Sequence, residues 1–107
     1  MKFDTLDLLE LFESYPRFPY GEEQQIYWYK TSDEKNIILT LDVFSYENKC
    51  YISILSKGQE TPIFKIEAKK VTHLIRKENS LYINMENNEF YKLFFKPYIA
   101  IRINEED

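Results

Sequence analysis

Ile37-Ile38-Leu39-Thr40-Leu41-Asp42-Val43-Phe44-Ser45 is the stretch on which the fold turns. Ile37, Leu39, Leu41 and Val43 are apolar, and they alternate with Ile38, Thr40 and Asp42. A period of two marks a strand half buried on a sheet, because successive side chains point to opposite faces. Asp42 then shares the outer face with Thr40 and Ile38, where the wetter side of an antiparallel sheet accepts a carboxylate.

The same period spreads in both directions. Upstream, Gln25–Thr31 (QIYWYKT) reads as a strand, closed by the polar Ser32–Asn36. Downstream, Tyr46-Glu47-Asn48 is a short reversal, and Cys50–Ser56 places Cys50, Ile52 and Ile54 on one face. Lys57-Gly58-Gln59-Glu60 is a hairpin connection, after which Ile63–Ala68 alternates Phe64, Ile66 and Ala68. Lys69–Arg76 is ambiguous, since it alternates moderately while Val71, Leu74 and Ile75 also suit one helical turn. Three further stretches alternate: Leu81 to Met85, Glu89–Phe95 and Tyr98–Ile103. Lys77–Ser80 and Glu86–Asn88 turn the chain, and Pro97 can flank a strand but not sit inside one.

Only the N-terminus has another period. From Asp4 to about Tyr15, Leu8, Leu9, Leu11 and Phe12 share one helical arc, with Asp7, Glu10 and Glu13 opposite. Asp4 or Thr5 can cap this helix, and Pro16 and Pro19 end it. The expected fold is therefore α+β, mainly β. One N-terminal helix precedes a curled antiparallel β-meander of about seven strands, and the helix covers a face or plugs an open end.

The 107 residues fit a single domain, 1–107, and 17% aromatic content with 44% hydrophobic residues belongs to a folded chain. One cysteine, Cys50, allows no internal disulfide, which fits a reducing, cytoplasmic setting. Acids interrupt the apolar residues of MKFDTLDLLELFESYP, so it does not read as a signal peptide, and no stretch is apolar enough to span a bilayer.

Catalytic chemistry finds little support. His73 is the only histidine and has no acid or cysteine at ligand spacing. Cys50 alternates with isoleucines, as a buried hydrophobe does. Gly21 and Gly58 are isolated, so no phosphate loop exists, and no zinc or calcium spacing occurs. The expectation is a protein without catalysis, cofactor or metal, which acts by binding another macromolecule.

Two surfaces are candidates for that binding. Asp7, Glu10 and Glu13 are either a solvated helix face or a patch that steers a basic partner. In Tyr27-Trp28-Tyr29, either Trp28 or the tyrosine pair must look outward. The candidate contacts are thus Asp7, Glu10, Glu13, Trp28, Tyr29, Asp33, Glu34, Tyr46 and Glu47, against the alternative that a second layer covers the aromatics. Lys65, Lys69, Lys70, Arg76 and Lys77 could join aromatics on single-stranded nucleic acid, but the net charge of -4 disfavours a polyanion. The tail adds Glu105, Glu106 and Asp107.

An acidic chain with a leading amphipathic helix and a meander resembles the small immunity proteins of bacterial contact-dependent inhibition and related polymorphic toxin systems. The later run carries the likeness: Phe64-Lys65-Ile66, Val71 and Leu74, Asn79-Ser80-Leu81-Tyr82-Ile83, then Lys96-Pro97-Tyr98-Ile99. The resemblance implies a cytoplasmic protein that binds a cognate toxin domain and blocks its active site or its access to a target. An acidic inhibitor would suit a nuclease toxin with a basic cleft. No individual binding residue carries over. The rivals are an acidic phage-type inhibitor that mimics nucleic acid, a small-ligand-binding curled sheet, and an enzyme built around His73 or Asp42.

Overall fold

The computed structural model describes residues 1–103. Helix α1, Thr5–Phe12, starts where the Asp4 carboxylate accepts the Leu6 amide at 2.8 Å. It ends at Glu13, which adopts a left-handed conformation (φ 56°), before either proline is reached. Leu8, Leu11 and Phe12 are buried, whereas Leu6 is exposed, as its place outside the apolar arc predicts.

Eight strands follow, one more than expected, in two four-stranded antiparallel sheets. The first is a meander of β1 (Ile26–Ser32), β2 (Ile37–Phe44), β3 (Lys49–Ser56) and β4 (Phe64–Ala68). The second repeats the plan with β5 (Val71–Lys77), β6 (Ser80–Met85), β7 (Phe90–Phe94) and β8 (Ala100–Ile103). Asn36 and Asn48, in the β1–β2 and β2–β3 turns, take positive φ (62° and 53°), a conformation asparagine tolerates better than most residues. Gly58 supplies φ 87° in the β3–β4 connection.

The ambiguous Lys69–Arg76 is strand β5. A bulge between Val71 and His73 shifts its register against β6. The extra residue changes parity, so Val71 and Leu74 both point inward and imitate helical spacing.

The inward rows of both sheets join one core. Tyr29, Leu41 and Ile52 lie opposite one another across β1, β2 and β3, and Leu81 faces Leu93 across β6 and β7. All five are essentially inaccessible to solvent. Phe12 joins the layers, with its ring 5.1 Å from Tyr29 and 4.9 Å from Phe95, centre to centre. The helix is thus a wedge in the shared core. Each large apolar side chain buried there contributes about 1.5–3 kcal/mol relative to exposure.

The N-terminal segment also covers two strand edges. Lys2 bridges beside β5 through Thr72 and Leu74, with both bonds at 2.9 Å. Arg17 bridges beside β1 through two bonds to Trp28, at 2.9 and 2.8 Å. Occupied edges cannot template pairing with another chain.

Candidate functional site

The candidate residues do not converge on one patch. On α1, Glu10 pairs with Arg76 of β5, and Glu13 pairs with Lys96 at 2.8 Å. The Lys96 ammonium, by hydrogen bond and then by charge, holds the Glu13 carboxyl below its ordinary value. Glu10 and Glu13 are therefore matched by cations from distant parts of the chain, which sequence distance concealed. Less charge is left to steer a basic partner.

Alternation settles the aromatic run. Tyr27 and Tyr29 point inward and Trp28 points outward, 38% exposed. Tyr29, at 1%, is a core residue and not a surface contact. Its position opposite Leu41 on the inner face is the reason. Burial, then the neighbouring Tyr27, pushes its phenol pKa well up, and the hydroxyl has no hydrogen-bond partner among the described residues.

Asp33 has a structural task. One carboxylate oxygen accepts the amides of Lys35 (2.9 Å) and Ile37 (3.0 Å), closing the β1–β2 turn. The other accepts the Ile99 amide at 2.8 Å, tying that turn to the segment before β8. Desolvation opposes its ionisation, but these amides outweigh it and keep the carboxyl below its ordinary value. Glu34 is exposed beside it. Tyr46 (73% exposed) and Glu47 stand in the β2–β3 turn, at the opposite end of the first sheet.

The groups with catalytic potential are dispersed. Cys50 is fully buried, and burial, with Asp42 nearby, pushes its thiol up to about 12. Asp42 lies on the outer face as expected but is half-buried there. Desolvation raises its pKa, with Lys65 acting against the rise. His73 is exposed on β5. Among the described residues no group of three or more His, Cys, Asp or Glu could hold a metal ion. No helix among them is long and apolar enough to cross a membrane.

The two outer faces differ in charge. On the first sheet, Trp28, Asp42, Tyr51 and Glu67 form one outward row. Lys49 pairs with Glu47 (3.4 Å) and Glu67 (3.9 Å) while lying near the Phe44 and Tyr51 rings. That face balances its own charges. On the second sheet the corresponding row is Ile75, Tyr82, Lys92 and Arg102, with Lys77 and Phe94 in the next. No Asp or Glu occupies an outward position of β5–β8.

Cations cover the rings on this second face. Lys77 lies 4.8 Å and Lys92 5.1 Å from the Tyr82 centre, while Lys92 lies 4.6 Å and Arg102 5.5 Å from that of Phe94. The Tyr82 phenol is held below its ordinary value, chiefly by the Lys92 ammonium at its oxygen, against an opposing desolvation. Of the basic stretch read from sequence, only Lys77 belongs to this face. Lys92 and Arg102 were missed because they meet Tyr82 and Phe94 only once β6, β7 and β8 are paired.

No family model matches the chain, and no curated protein matches it. Among solved structures it resembles a chain of the contact-dependent growth inhibition toxin–immunity protein complex from Klebsiella pneumoniae 342. The TM-score is 0.75 at 18% identity, over 92% of this chain and 90% of that one. The two chains share the helix-plus-two-meander fold over nearly their whole lengths.

Proposed function

We propose that this chain is a non-catalytic, cytoplasmic immunity protein that binds a cognate toxin domain, a nuclease among the candidates, and neutralises it. The observation that carries the reading is the near full-length fold likeness to a chain from a toxin–immunity complex. The disposition of the reactive side chains favours the neutralising role over the toxic one. Cys50 is sealed in the core, His73 is exposed on β5, and Asp42 lies on an outer face of the other sheet. The filled interior also leaves the ligand-binding alternative little to stand on. Tyr29, Leu41, Ile52, Leu81 and Leu93 belong to one packed core, whereas that alternative requires a closed apolar cavity between the sheets.

The test is growth under coexpression. The chain is produced in a bacterium together with the toxin domain encoded beside its own gene, and separately with the toxin domain of the Klebsiella complex. The expected result is protection against the first and not the second, because specificity depends on side chains that 18% identity does not preserve. Absence of protection against the neighbouring toxin would remove the reading. Growth arrest by this chain alone would assign it the toxin's role.

A further inference from the structure

We propose that the outer face of the second sheet docks an acidic surface of the toxin domain, with Lys77 and Lys92 as its charged anchors and Ile75, Tyr82 and Phe94 as its apolar floor. The proposal rests on the toxin-binding reading and names the surface and the partner chemistry within it.

Charge distribution carries the argument. The chain has a net charge of -4, yet β5–β8 present Lys77 and Lys92 outward, with no Asp or Glu at an outward position of these strands. The acids next to these strands in sequence, Glu78, Glu86 and Glu89, lie in the turns. Elsewhere Arg76 is matched by Glu10, Lys96 by Glu13, Lys69 by Glu67, and Lys49 by Glu47 and Glu67. Lys77 and Lys92 flank the same Tyr82 ring, and a carboxylate-bearing partner relieves the local repulsion between their ammonium groups. The apolar component is present too, since Ile75 is 38% exposed and Tyr82, Phe90 and Phe94 are partly exposed. Aromatic side chains are enriched at interface centres, with lysines toward the polar rim.

The same geometry argues against nucleic acid. Bases bind sheet faces by stacking on open rings. Here the ammonium groups of Lys77 and Lys92 stand within about 5 Å of the Tyr82 and Phe94 centres, so an incoming base meets cations beside both rings. The acidic remainder of the molecule also repels a long polyanion.

The experiment has two arms. In the first, backbone amide resonances of the full chain are followed by NMR while poly-L-glutamate, or an oligothymidylate of equal charge, is added at low salt. Poly-L-glutamate is expected to shift β5–β8 amides, and K77E/K92E is expected to abolish the shifts while retaining the native spectrum. K77Q/K92Q should weaken them. Shifts confined to the first sheet, no shifts at all, or tighter binding of the oligothymidylate on this face would overturn the proposal.

In the second arm, association with the toxin domain neutralised in the coexpression test is timed. K77E/K92E should slow it by about tenfold or more at low salt, whereas K30E/K57E, an equal change in net charge elsewhere, should change it far less. Protection by wild type with unchanged association by K77E/K92E would overturn the surface and leave the function standing. Protection against no toxin domain would remove the function, and the first arm would then decide the chemistry of the face by itself.

Discussion

Tyr29 is a place where one oxygen atom opposes the fold. Its ring stacks in the core against Phe12 and Tyr27, but its hydroxyl is buried without a hydrogen-bond partner among the described residues. A buried unsatisfied hydroxyl costs about 1–3 kcal/mol. Tyr29→Phe keeps the ring and removes the oxygen, so it should raise stability by about 1 kcal/mol in urea titration. A loss of stability would show that the hydroxyl is paired. Asp33 is the converse case. Asp33→Ala leaves the Ile37 and Ile99 amides without their acceptor and should cost about 1–2 kcal/mol. Because the folded carboxyl is lowered, its contribution is present above the ordinary 3.8 and is lost as pH falls through the folded value. Asp42 runs the other way, because burial raises its pKa. Its ionisation opposes folding, so that penalty is absent below 3.8 and grows as pH rises through the folded value. Thermal melts against pH should therefore show Asp42→Asn stabilising at neutral pH and neutral in acid, with Asp33→Asn flattening the acid limb.

Helix α1 is held by side chains rather than by its length. At 8 residues it is too short to persist alone, and Leu8, Leu11 and Phe12 anchor it in the core. Phe12→Ala removes a ring that contacts both layers and should cost about 3–5 kcal/mol by chemical denaturation. Leu6→Ala, at an exposed position of the same helix, should cost under about 0.5 kcal/mol. The elements were legible in the sequence wherever the hydrophobic period was clean. Ile37–Phe44 and the helix arc are examples, and each strand boundary moved by only a residue or two. Two features escaped. The bulge in β5 disguised a strand as a helical turn, because bulges change parity without leaving a residue signature. The helix stopped at Glu13 and not at Pro16, because the chain must turn there to bring Arg17 beside Trp28.

At the scale of the whole molecule, a stretch of 17 residues at the N-terminus serves both sheets: Lys2 on the edge of β5, α1 between the layers, and Arg17 on the edge of β1. The candidate site was less legible than the fold. Single-strand parity sets Trp28 opposite Tyr27 and Tyr29 but leaves open which of them is buried. Pairings such as Glu10 with Arg76, 66 residues apart, depend on tertiary contacts that no local pattern encodes. The basic face of β5–β8 likewise exists only after three hairpins have aligned their outward rows. A chain that neutralises a toxin domain by binding, as proposed, acts stoichiometrically. Residual activity of the purified cognate toxin domain, titrated with this chain, measures that most directly. Neutralisation by binding predicts a linear fall that reaches its floor at about one equivalent, as tight one-to-one complexes give. Inhibition complete at a small fraction of an equivalent, and increasing with time, would show turnover and contradict the account.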